Sequence, residues 1–331
     1  MIRPLLALLP ALPLLAIALP AAADDSLLDQ GRAQSEAFLA GDIESIWDKM
    51  DADMQTALGS LPEFEAFHDA VTAQLGEEAS VLDETTATEG DFGIYTRTGE
   101  WTQIDTPIVL QWAFGPQGSI AGFVIQSQPV AAESAWLDYQ THADLRLPFA
   151  GEWFVVWGGR DIADNYHAAN IEQRFAYDFL VLDETGQSHS GDAQTLENYY
   201  CWDREILAPA AGEVIATVHD LPDLAIGDSD PENPAGNHVV LALGEEEFAF
   251  LAHMQQGSLT VQQGDMVTPG DVLGLCGNSG NTSEPHLHFH LQTTPDLFNG
   301  EGLPAQFQDY RADGQDVTRG EPVRGQTVAP N

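Results

Sequence analysis

Three histidines at alternate positions, His286, His288 and His290 in SGNTSEPHLHFHLQ (residues 279–292), set the strongest constraint on how this chain folds. Strand side chains alternate faces, so the three imidazoles share one face while Leu287, Phe289 and Leu291 share the other. The apolar face belongs in a core, and the imidazole face needs a polar purpose. Two residues of strand span about 6.6 Å, so His286 and His288 can share one metal ion or serve adjacent functions, and spacing does not choose between these.

Neutral imidazole and carboxylate are zinc ligands, and a catalytic zinc site uses three protein ligands plus a water. Partners for the histidine strand lie upstream: His167 and Asp178 in NYHAANIEQRFAYDF, and His253 in FAFLAHM. Each alone is a weak indication. His68, His142, His189 and His219 read as surface or satisfied core residues, and His238, in GNHVVL, begins a strand.

The chain opens on MIRPLLALLPALPLLAIALPAAADD, where Arg3 precedes an apolar run that ends in three alanines before Asp24. This is the pattern of a cleaved secretory signal over residues 1–23, although the run is long enough to span a bilayer. Its four prolines and small-residue exit favour cleavage, so no stable membrane insertion is expected afterwards and the location is periplasmic or secreted. The net charge of −41 repels nucleic acid and anionic lipid surfaces, which excludes both as expected partners. Its acids are scattered, as on a solvated surface. In an oxidising compartment Cys201 and Cys276 can form a disulfide; two buried thiols or metal ligation are the alternatives.

Residues 24 to about 80 read as helices, with Phe64, Phe67, Val71 and Leu75 on one face after Pro62. From about 90 the period becomes two, and PIVLQWAF, GPQG and SIAGFVIQ form a hairpin pattern. Helices on one face of a short antiparallel sheet make an α+β domain over 24–128, similar in its order of elements to NTF2-like domains. Residues 129–150 read as a connecting segment. Downstream, EWFVVWGG, GEVIATVHD and NHVVLALG are short β-type runs between turns, so the second domain is expected to be mainly antiparallel β over 151–300, followed by a tail over 301–331.

Taken in order, the downstream segments resemble the M23 family of zinc metallopeptidases, the lysostaphin and LytM type. LAPAAGEVIAT at 207–217 is similar to that family's ApadGxV strand pair, GNHVVL to its Gly-Asn strand, and FLAHM to its Y-x-H-L strand. VQQGDMVTPGDVLGLCGNSGNTSEPHLHFHL is similar to the paired Gly-Asp turns, the G-x-S-G loop and the closing P-H-L-H-F. The resemblance covers roughly 150–295 and implies a Zn2+ enzyme whose substrate is a peptidoglycan peptide. It implies that His288 and Asp178 bind zinc and that His253 and His286 are catalytic. Asp178 resembles the aspartate of H-x-x-x-D, but Arg174 stands where the histidine belongs, so a longer loop is expected to deliver His167 as the remaining ligand. His290 stands where the family commonly has Glu, either supporting the site from behind or lining its rim. A catalytically inactive regulator or wall-binding protein on the same fold is the alternative, favoured by Arg174. A regulatory protein is a candidate partner of the N-terminal domain.

Overall fold

The structure, a computed structural model, describes residues 25–331; the expected signal segment, 1–23, lies outside the described residues. The chain divides between Gln128 and Pro129 into two compact units.

The first unit runs α1 (Asp25–Leu39), α2 (Ile43–Trp47), α3 (Ala52–Leu58), α4 (Leu61–Leu75), then β1 (Glu78–Glu89), β2 (Phe92–Trp101), β3 (Ile104–Phe114) and β4 (Ile120–Ser127). Pro62 sits in the first turn of α4, where its missing N–H is no loss, and Phe64, Val71 and Leu75 are buried. The four strands form one antiparallel sheet in chain order. Helices and sheet meet on an aromatic core in which the Phe123 ring lies 4.3 Å from Trp112 and 5.0 Å from Phe38. Buried Trp112 satisfies its indole N–H on Ser35 Oγ at 3.0 Å. The β structure begins at Glu78, earlier than the change of period near residue 90 implies. EASVLDETTATE of β1 has few apolar residues to alternate, so its pairing with β2 is invisible as a pattern.

The second unit contains β5 (Trp153–Trp157), β6 (Tyr177–Leu180), β7 (Glu205–Leu207), β8 (Gly212–Val218), β9 (Asn237–Gly244), β10 (Glu247–Met254), β11 (Met266–Val267), β12 (Val272–Leu275), β13 (Leu287–Gln292), β14 (Gly302–Leu303), β15 (Phe307–Ala312), β16 (Gln315–Gly320) and β17 (Thr327–Pro330). Ten of them form one antiparallel sheet ordered β11-β8-β9-β10-β13-β6-β5-β17-β15-β16, with β14 added beside β13 and β12 paired separately with β7. All six residues of β13 are buried. Leu287, Phe289 and Leu291 enter the main core with Leu251, Phe179 and Phe307, as the alternation demands.

Two segments correct the expected boundaries. Residues 129–150 are no free connector: Leu145, Leu147 and Phe149 are buried in this core. Buried Glu247 of β10 accepts the backbone N–H groups of His142 and Ala143 and the hydroxyl of Tyr139. Residues 301–331 are no tail either, because β15, β16 and β17 extend the sheet and bury Phe307, Tyr310 and Val328. Their alternation is diluted by exposed charges on the outer face, but Asp313-Gly314, both at positive φ, is the turn dipeptide of a two-residue hairpin. Cys201 and Cys276 form a disulfide, which excludes their service as metal ligands.

Candidate metal centre

The pairing of β13 with β6 sets His288 directly opposite Asp178, so both side chains leave the same face of the sheet. Nδ1 of His288 stands 2.8 Å from Oδ1 of Asp178. The third member arrives from outside the sheet. His167 lies in a 3-10 turn, Tyr166–Ala169, capped by Asn165, whose amide nitrogen donates to the carbonyls of Gly159 and Ala176. Nε2 of His167 is thereby 2.9 Å from Oδ2 of Asp178. One donor atom each from His167, Asp178 and His288 falls within 4.8 Å of the others, and all three residues are buried.

That set suits a divalent zinc ion: two imidazole nitrogens and a carboxylate oxygen, converging from three buried residues. The outward-facing ring nitrogens are also held, His167 Nδ1 at 3.0 Å from Gln173 Oε1 and His288 Nε2 at 2.9 Å from His290 Nδ1. Burial would push the Asp178 carboxyl up, but the facing imidazoles of His167 and His286 hold it well below the usual carboxylate range. Asp178 is therefore an anion ready to bind a cation.

Two further histidines flank this group. His286 precedes β13 on the same face; its Nδ1 lies 2.8 Å from the Glu284 carbonyl and 3.1 Å from Thr282 Oγ1, and its Nε2 lies 3.6 Å from Asp178 Oδ1. Burial pulls its pKa down, but the Asp178 charge outweighs this and holds it above the ordinary value. His253 reaches the face by an irregularity. On β10, Phe250 and Ala252 pair with His290 and His288, so strict alternation would send His253 into the core beside Leu251. A register shift between Leu251 and Met254 and a left-handed backbone at His253, φ 61°, turn its ring to the imidazole face instead. There it stands 4.7 Å from the His286 ring and 5.8 Å from that of His288. Burial, reinforced by the neighbouring His286 and His288, holds its pKa well below the usual value.

The GNSGN loop fixes that ring. Nδ1 of His253 lies 2.9 Å from the Ser279 carbonyl. The Ser279 hydroxyl donates to Met254 O and accepts from Asn237 N. A Cβ on Gly236 would stand 2.2 Å from Ser279 O, so only glycine allows this approach. Ser279 thus orients His253 through its backbone.

Arg174 has a structural place. Buried, it donates from Nε to Ala132 O at 2.8 Å and from Nη1 to Arg160 O at 2.6 Å, and lies over the Phe175 ring. It is tied to loop carbonyls, while His167 fills the metal position from a longer loop. His290 is buried behind His288, not at a rim. Neither Gln173 nor the carbonyls of Ser279 and Glu284 carried any signal in the sequence, since an amide or a backbone oxygen becomes functional only through where the fold puts it. His68, His142, His189, His219 and His238 are outside the metal group; His238 Nδ1 is 2.8 Å from Gly236 O.

An antiparallel β domain with a buried His-Asp-His group and two adjoining histidines defines a metallopeptidase type of site. Residues 200–300 match the model of peptidase family M23, and the chain carries an M23 domain with its metal-binding group intact. The matched span includes His253, His286 and His288 and begins after His167 and Asp178, which the fold brings in. Among characterised proteins, "Endolysin 2638A" of Staphylococcus phage 2638A is 33% identical over 82 residues, 23% of this chain and 17% of the endolysin. "Peptidoglycan DD-endopeptidase ShyA" of Vibrio cholerae is 37% identical over 57 residues, 17% of this chain and 13% of ShyA. The match thus spans under a fifth of either relative. Similar solved structures include a mutant catalytic domain of the prophage-encoded M23 protein EnpA from Enterococcus faecalis (TM-score 0.31, 17% identity, 48% of this chain and 94% of that one). Another is the catalytic domain of lysostaphin from Staphylococcus simulans (TM-score 0.27, 16% identity, 45% and 86%). Among the described residues, no helix is long and apolar enough to cross a membrane.

Proposed function

We propose that this protein is an exported zinc endopeptidase that hydrolyses peptide bonds in peptidoglycan cross-links or stems. The convergence of His167, Asp178 and His288 beside His253 and His286 is the observation that carries the reading. The family match and the name of the Vibrio relative support peptidoglycan as substrate. The signal-like first residues and the disulfide support an extracytoplasmic location, periplasmic or secreted. The helices on a four-stranded sheet support an NTF2-like reading of the first unit, with a regulatory protein as its candidate partner.

His167, Asp178 and His288 would hold the metal. Bound zinc supplies Lewis-acid polarisation of a scissile carbonyl and makes water a stronger acid. His253, kept neutral by burial and fixed through Nδ1, presents Nε2 as a proton acceptor toward an attacking water. His286 faces Asp178 through Nε2 and donates its Nδ1–H to the Glu284 carbonyl, so Nε2 carries a proton only in the imidazolium form that the Asp178 charge favours. Its Nε2 is then placed to donate to the oxygen on which charge develops.

The test is zinc content and hydrolysis together, on residues 24–331. One zinc per chain, lost in His167→Ala, and a fall in activity of about 10²- to 10⁴-fold in His253→Ala and His286→Ala with zinc retained, is the expected result. A zinc-free, folded parent would instead establish the inactive regulator.

A further inference from the structure

The face that carries the metal ligand His288 continues through His290 to Gln292, and those two residues hold unpaired buried atoms of opposite kind. Nε2 of His290 and Oε1 of Gln292 are both buried with no hydrogen-bond partner in place. An unpaired polar atom in a core is costly, so a matched pair two residues apart on one face of a strand calls for explanation. Both hydrogens of the Gln292 amide are committed, because Nε2 donates to Thr294 O at 2.8 Å and Asp296 O at 2.7 Å. Its oxygen is therefore left as an acceptor for His290.

Building on the metal reading above, we infer that His290 is a positioning residue. It accepts the Nε2–H of His288 on its own Nδ1, and Gln292 selects the His290 tautomer that can do so. The bookkeeping of protons requires this. A His288 that binds a cation through Nδ1 must carry its proton on Nε2, and that proton points at His290 Nδ1, 2.9 Å away. His290 Nδ1 must then be bare and its proton must sit on Nε2, the unpaired buried atom for which Gln292 Oε1, unpaired on the same strand face, is the matching acceptor. Reversing His290 would set two N–H groups against each other and leave a bare nitrogen against a carbonyl oxygen. The Phe250 ring, stacked on His290 at 4.6 Å and 8°, keeps the imidazole in the plane this alignment needs. The partner of a metal-binding histidine here is thus a neutral ring anchored through an amide to the Thr294–Asp296 turn.

Competition titration with a chromophoric chelator and Zn2+ measures the consequence on the full chain. His290→Phe keeps the stacked ring but removes the acceptor, and weakens zinc binding about 10- to 100-fold. His290→Asn places an amide oxygen where Nδ1 was and restores affinity to within about threefold of the parent. A merely structural role predicts the opposite order, since Phe fits the apolar stack better than Asn. Ring nitrogen NMR of the zinc-loaded parent needs no variant and covers the case of a misfolded one: His290 should be protonated at Nε2 and bare at Nδ1. Equal affinities for parent and His290→Phe, or a proton found on His290 Nδ1, would overturn the relay while leaving the metal site standing. A parent that binds no zinc would overturn both.

Discussion

At the scale of single residues, the site depends on two side chains that depart from regular patterns. His253 is the clearer case. Its left-handed backbone costs an L-residue about 1–2 kcal/mol, and only that distortion brings its ring out of the core direction of β10. His253→Gly should consequently be about 1 kcal/mol more stable than His253→Ala in urea unfolding, although both lose the imidazole; equal stabilities would mean the backbone is unstrained. Arg174 departs from the family pattern without touching the metal group. Removing its guanidinium in Arg174→Met strands the carbonyls of Ala132 and Arg160 and should cost about 1–3 kcal/mol, with zinc stoichiometry unchanged. Loss of zinc from a folded Arg174→Met protein would place Arg174 in the site. The imidazole alternation of residues 286–290 was legible in the sequence because a period of two is a local property. The placement of His167 was legible only through resemblance, since a ligand delivered by a loop eleven positions from Asp178 has no period to read.

Among the elements, α1, β1 and β2 of the first unit are joined by a charge network. Arg32 of α1 donates to Glu84 of β1 through Nε at 3.0 Å and Nη2 at 2.6 Å, and Tyr95 of β2 donates to the same carboxylate. Arg32, against partial burial and with help from Tyr95, holds the Glu84 pKa down at about 2. A carboxyl whose folded pKa lies below its unfolded value of 4.5 stabilises the fold above that value, and the contribution disappears as pH falls from 4.5 to about 2. Glu84→Gln should therefore lower the urea midpoint near neutral pH and flatten its fall across that window; an unchanged pH profile would show that the network contributes nothing. Arg32 is substantially exposed, so the effect should shrink in high salt. The elements missed in the sequence, β1 and the β15 to β17 extension, share one physical cause. Exposed polar side chains on their outer faces break the apolar alternation, and hydrogen bonding to neighbouring strands holds them in place.

For the molecule as a whole, the disulfide ties the segment before β7 to the one that leads into the loop holding His253. It spans 75 positions, and loop-closure entropy assigns it about 4 kcal/mol. Cys201→Ala with Cys276→Ala should lower unfolding stability by that order; a loss under about 1 kcal/mol would mean the unfolded chain is already restrained. The break near residue 128 was legible because the strand alternation of PIVLQWAF and SIAGFVIQ stops there, whereas the contribution of residues 129–150 and 301–331 to the second core depends on contacts far apart in the chain. The buried His-Asp-His group is proposed to serve peptide hydrolysis in the cell wall. Mass spectrometry of soluble products, after zinc-loaded residues 24–331 are incubated with purified peptidoglycan, tests it most directly. Defined muropeptides with a cleaved peptide bond are expected, and none with His167→Ala or with His288→Ala. Release of nothing by a protein that holds one zinc per chain, or of fragments cut only in the glycan, would contradict it.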